Sequence, residues 1–172
     1  MFPKLQNDFA DRAVFLATPA VGHPFVCSDE TSCDWEKVTL CAFEAAGSQL
    51  GQPINSNASS FLECMDGADL PLFFEPKIPK GCASKTALQW EGIDTCFRGS
   101  RGDDLLSSAA ARVTKQVGTG SFHIPLILVD GQKVCTSDDC DYDVVAKALG
   151  QPSPVARPRD AHVNLTYYFA SK

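Results

Sequence analysis

No apolar run in the 172-residue chain approaches the roughly 20 residues that a membrane-spanning helix needs. No lysine and arginine cluster interrupts a formal charge of −6, which argues against nucleic acid or an anionic membrane as a partner. The opening MFPKLQNDFADRAVFLA lacks the basic start, apolar stretch and small-residue cleavage site of a signal peptide. No two cysteines stand two residues apart, so the chain holds no Cys-x-x-Cys redox pair of its own. Zinc is disfavoured as well, because the short pair Cys135-x4-Cys140 has no second short Cys or His spacing to match it. No metal and no cofactor is implied.

What is present is a core-forming composition, 44% hydrophobic, of a length that fits one domain. Eight cysteines are spread along it: Cys27, Cys33, Cys41, Cys64, Cys82, Cys96, Cys135 and Cys140. An even, dispersed set favours structural disulfides in an oxidising compartment, although eight thiols allow about a hundred pairings. Those from Cys27 to Cys96 are expected to pair among themselves, and Cys135 with Cys140 to bridge locally or remain thiols. A chain of this kind with no leader, opening directly on amphipathic material, is expected to have lost its beginning.

Leu5 and Phe9, one turn apart, predict a short helix over Pro3 to Asp11, and AVFLA (Ala13 to Ala17) a buried strand ended near Pro19. From about 33 to 118 the pattern is helical. Val38, Cys41, Ala42 and Ala45 share a face, Phe61 to Met65 forms another piece, and Ala83 to Trp90 and Ile93 to Phe97 continue the series. The longest helix is expected over Leu105 to Val117, with Asp103 as its cap. Ile124-Pro125 then opens the run Leu126 to Val129, and Asp130-Gly131 supplies the positive φ angles of a two-residue hairpin loop before Gln132-Lys133-Val134. A last helix is expected from about Asp139 to Leu149, capped by Ser137 or Asp138 and stopped by Gly150. Beyond residue 150, QPSPVARPRD carries three prolines in ten residues and reads as a linker, and the tail AHVNLTYYFASK has no evident partner.

Several local motifs fall in one order. Cys82-Ala83 leads into Leu-x-Trp-x-x-Ile-x-x-Cys (Leu88 to Cys96), Gly-x-x-Gly-x-x-Leu-Leu (Gly99 to Leu106) and an X-Pro strand running into Val-Asp-Gly (Ile124 to Gly131). With FLECMDG (Phe61 to Gly67) ahead of them, they resemble the gamma-interferon-inducible lysosomal thiol reductase family over roughly Pro3 to Leu149. The family's Cys-Gln-His-Gly signature survives only as CSDETSC (Cys27 to Cys33), and His123 lies too close to Pro125 to match the family's histidine.

The resemblance implies an α/β, thioredoxin-like domain over 1–150, with a helical, disulfide-rich insertion at about 33–118, followed by a Pro-rich linker and tail over 151–172. It also implies that the first strand and the catalytic Cys-x-x-Cys are lacking and belong upstream of Met1. That strand would lie mid-sheet, between the strand near Ala13 and the one near Leu126, so its loss should leave both neighbours unpaired and the domain poorly folded. The family's activity is reduction of protein disulfides in lysosomal or secreted settings. Ile124 and Pro125, joined by a cis bond, would dock the substrate segment, and Cys135 and Cys140, which come after the hairpin, are wrongly placed to face that bond. The chain as given should be inactive, and the alternative is a non-catalytic, disulfide-stapled binding domain.

Other signals read blandly. Asp139 to Asp143 (DCDYD) alternates acids like a calcium loop, but Val144 stands where an EF-hand needs glycine, so helix capping is the better account. Arg101-Gly102-Asp103 spells an adhesion tripeptide inside a turn and cap. His23, His123 and His162 have no positioned partner. Asn57 (Asn-Ala-Ser, in a polar loop) and Asn164 (Asn-Leu-Thr) are glycosylation candidates.

Overall fold

Two periodicities divide the chain, apolar residues three or four apart making helices and strict alternation making strands. The structure, a computed structural model, describes residues 2–11, 13–21, 33–69, 71, 73–118, 125–136, 139–150 and 163–169. Among them it is a mixed α/β fold with seven helices and a four-stranded sheet. Helix α1 (Phe2–Asp8) leads into β1 (Ala13–Pro19), and five helices follow: α2 (Asp34–Ala45), α3 (Ser56–Asp66), α4 (Lys77–Lys85), α5 (Trp90–Arg98) and α6 (Ser100–Val117). Then come β2 (Leu126–Val129), β3 (Gln132–Thr136), α7 (Tyr142–Gly150) and β4 (Val163–Phe169).

The tail is where the sequence reading fails. The sheet order is β1-β4-β2-β3, so Val163–Phe169 occupies the central place that was expected to be empty. It runs parallel to β1, with Ala13 opposite Val163, and antiparallel to β2, with Leu126 opposite Tyr168. Both neighbours therefore have backbone partners where unpaired edges were expected. The Asp130–Gly131 turn also holds the start of β4: Asp130 N–H donates to Asn164 O at 2.8 Å and Asn164 N–H donates to Asp130 Oδ1 at 2.9 Å.

The hairpin itself follows the sequence. Asp130 and Gly131 have φ of 54° and 76°, as a type I′ loop requires, and Val129 faces Gln132 across it. A register shift between Ile127 and Leu128 bulges β3 at Val134, because Ile127 faces Cys135 while Leu128 faces Lys133.

Side-chain alternation sorts the sheet into two faces. Phe15, Ile127, Leu165 and Phe169 point into a core with Leu5 of α1, Phe9 just after it, Val145 and Leu149 of α7, and Leu62 of α3. Leu126 and Leu128 point the other way and meet Val113 of α6. A separate core joins α2 to α3, α4, α5 and α6 around Trp35, Leu40, Phe61 and Ile93. Eight of the 12 residues of α2 are buried, including Phe43 in the sheet core and Ala42 in the helical one, so this helix links the two.

Several helix bounds differ from expectation. The helix expected over Ala83 to Trp90 is broken at 86–89, where Ala87 takes a φ of 56°, so α4 ends at Lys85 and α5 starts at Trp90. α6 begins at Ser100, capped by the extended residue Gly99, and Asp103 reaches across to Lys37 Nζ of α2 at 2.5 Å instead of capping. Gly102 permits this approach, since a methyl group there would lie 2.5 Å from Lys37 Cε and 2.8 Å from the Cys96 carbonyl oxygen. α7 begins at Tyr142, where Asp141 Oδ1 accepts the Val144 N–H at 2.8 Å. Ser137 and Asp138, the expected caps, lie outside the described residues.

Tyr142 also latches α7 to α1: its hydroxyl donates to Asp8, and Lys4 Nζ stands 3.9 Å from the centre of its ring. The bond to Asp8 raises the Tyr142 hydroxyl above the ordinary tyrosine value, and burial, aided by the charge of Asp66, pushes Tyr167 far up. Both groups hold their protons longer folded than unfolded. Their contribution is therefore intact below the unfolded value of about 10 and is lost as pH rises above it. Urea midpoints are expected to fall from pH 9.5 to pH 11.5 by less in a Tyr142→Phe/Tyr167→Phe variant than in the parent; equal slopes would contradict this assignment.

Candidate functional site

Sulfur is the chemistry that the sequence singles out, and every described cysteine is disulfide-bonded. Cys41 of α2 joins Cys96 of α5, and Cys64 of α3 joins Cys82 of α4, so two bridges staple the helical block. Cys135 of β3 joins Cys140 just before α7. Cys33 is also disulfide-bonded, and Cys27 lies outside the described residues. Unreduced protein unfolded in guanidinium is expected to take up less than about one maleimide per chain, rising to eight after reduction. Two or more reactive thiols before reduction would overturn the pairing.

The second candidate, the proline that opens the hairpin, is only half visible. Pro125 immediately precedes β2, whereas Ile124 and the bond between them lie outside the described residues. Of the Cys135–Cys140 pair, Cys140 Sγ stands 3.7 Å from Pro125 O, on the side of Pro125 away from that bond. A disulfide sulfur has no proton to donate, so this is a packing contact. Its cause is the hairpin register. Thr136 faces Leu126 and Cys135 faces Ile127, which returns the end of β3 to the start of β2.

The arrangement does not make the pair an attacking dithiol. Cys135 is buried in a strand, 4% exposed, and Cys140 is flanked by Asp139 and Asp141, whose negative charge opposes a thiolate there. Reduction would also release the link between β3 and α7, two elements that pack together in the sheet core. The bridge is therefore placed to hold the hairpin against α7.

The remaining candidates separate. Arg101-Gly102-Asp103 forms the first turn of α6 and is occupied in holding α2: Arg101 Nε donates to Glu44 Oε1 at 2.9 Å, and Asp103 pairs with Lys37. Among the described residues no three His, Cys, Asp or Glu side chains converge as metal ligands. Within Asp139 to Asp143, Asp141 caps α7. Asn57 is exposed in the first turn of α3, not in a loop, beside the capping contact from Ala58 N–H to Asn55 Oδ1. Asn164 is exposed in β4, though Leu165 and Thr166 of its triplet are buried. His23, His123 and His162 lie outside the described residues. Among the described residues no helix is long and apolar enough to cross a membrane.

No family model, no curated protein and no solved structure matches the chain.

Proposed function

We propose that the chain is a thiol-disulfide oxidoreductase module of the gamma-interferon-inducible lysosomal thiol reductase type, thioredoxin-like in its sheet and lacking its catalytic Cys-x-x-Cys. What supports the reading is the position of β4. The thioredoxin arrangement asks for a central strand between the strand after the first helix and the hairpin, and β4 stands between β1 and β2. The hairpin followed by α7, and the disulfide-stapled helical block between β1 and β2, fit the same arrangement. In this reading the strand usually met first comes last, a permuted order. The reactive pair belongs between the end of the central strand and the start of the first helix, where the helix N-terminus favours a thiolate. Disulfide-containing protein segments are the substrates, docked by backbone hydrogen bonds beside Pro125. An oxidising setting, lysosomal or secreted, suits the bridges.

One observation favours a second reading, a non-catalytic binding domain: every described cysteine is paired. Three proteins compared in an insulin-reduction assay separate the two: the chain itself, the chain with Cys-Gly-Pro-Cys inserted directly before Phe2, and that insertion with its first cysteine changed to serine. The chain is expected to be inert, the insertion to turn over, and its serine form to be inert. Turnover by the chain alone would place the nucleophile among its eight cysteines. A folded insertion variant that reduces no disulfide substrate would favour the binding domain.

A further inference from the structure

Among the described residues, the sheet face that meets α6 is only partly covered. Val113 packs on Leu126 and Leu128, and beside them lies an open cavity of about 730 Å³ between α6, the 51–53 segment and the sheet. Leu16 and Leu128 give it an apolar floor, and Gln116 and Asn164 add amide groups to its wall.

Arg112 of α6 is the unusual member. Its Nε is buried with no acceptor, and among the described residues the side chain makes no hydrogen bond and no ion pair. The guanidinium lies directly against Gly51: a methyl group there would stand 2.6 Å from Nη1 and 3.1 Å from Cζ. Glycine at this position, at φ +81°, thus leaves the space that the guanidinium fills. Asp130 also lines the cavity, but its Oδ1 is taken by the Asn164 N–H and it forms no pair with Arg112. A guanidinium always carries its charge and presents a planar fork of donors that matches a carboxylate, and burying part of it without an acceptor is unfavourable until such a partner arrives.

We propose that this cavity binds a small organic carboxylate, the carboxyl group on Arg112 and an apolar body on Leu16 and Leu128. The site is separate from the sulfur chemistry and does not depend on the reading given above. The full chain, titrated with benzoate, acetate and benzyl alcohol and followed by nuclear magnetic resonance, tests it. Benzoate is expected to shift the Arg112 Nε–H and the Leu16 and Leu128 methyl signals, with acetate and benzyl alcohol each at least about tenfold weaker. Arg112→Met, which keeps the stem and removes the fork, is expected to weaken benzoate by about tenfold or more without lowering the melting temperature of the free protein. Arg112→Lys, keeping charge without the fork, is expected to fall between, and it carries the comparison if the methionine variant does not fold. Equal binding of benzoate and benzyl alcohol, unchanged benzoate affinity in both variants, shifts that map elsewhere, or no shift up to about 20 mM benzoate would each overturn the proposal.

Discussion

A chain cut after residue 162 is expected to lose cooperative unfolding altogether. The cut removes β4, which pairs with β1 along seven residues and with β2 along four, so two strands lose their partner at once. It also removes Leu165 and Phe169, which are 0% and 1% exposed in the sheet core. Phe169 packs 6.2 Å from the ring of Phe43 on α2, so the loss reaches the helix that links the two cores. Phe169→Ala alone is expected to cost about 3–5 kcal/mol, a large share of the roughly 5–15 kcal/mol that holds a domain of this size. Urea denaturation followed by near-ultraviolet circular dichroism checks both. The cut chain should show no transition, and a synthetic peptide covering residues 161–172 should restore one in trans. A cut chain that unfolds at the parent's midpoint would remove β4 from the sheet.

The second large effect concerns the bridges, whose ranking follows the loops they close. Cys41 and Cys96 are 55 residues apart, Cys64 and Cys82 are 18 apart, and Cys135 and Cys140 are 5 apart. Chain entropy then gives about 4, 3 and 2 kcal/mol for the three when both partners become alanine. Equilibrium denaturation of the three double variants tests the order. Removal of Cys41 and Cys96 should do most harm, since Cys41 is 1% exposed in the helical core and its loss also leaves space there. If the Cys135/Cys140 variant proves weakest, the contact with Pro125 and the grip on α7 outweigh loop entropy.

Much of the fold was legible where partners are close in sequence. The hairpin announced itself through Asp130-Gly131, and helices α2 to α6 fill the stretch 34–117 that periodicity marks as helical. β4 shows why the rest was not. VNLTYYF alternates apolar and polar residues as a strand should, with Leu165 and Phe169 on one face and Asn164 and Thr166 on the other, yet nothing near it in sequence could pair with it. Its partner β1 is 150 residues away, and only tertiary structure brings them together. Arg112 was hidden for a related reason. On α6 it reads as one more polar residue, and its burial against Gly51 depends on a contact 61 residues distant that no spacing reveals. Asp103, read as a cap, was claimed by Lys37, because a cation on a packed helix competes for a carboxylate that a backbone N–H would otherwise take.

The central place of β4 has a consequence for biosynthesis. A ribosome adding about 5–20 residues per second takes about 8–30 s to travel from β1 to its partner in β4. Throughout that interval β1 has no parallel neighbour, and from its own emergence β2 has only the hairpin partner, so the nascent chain carries open strand edges of the kind that recruit other chains. The helical block faces no such delay, because Cys64 and Cys82 are 18 residues apart and can close while translation continues. Oxidation should thus run ahead of sheet assembly, leaving a half-built intermediate, stapled on one side and sticky on the other, for which a holding chaperone has its greatest use.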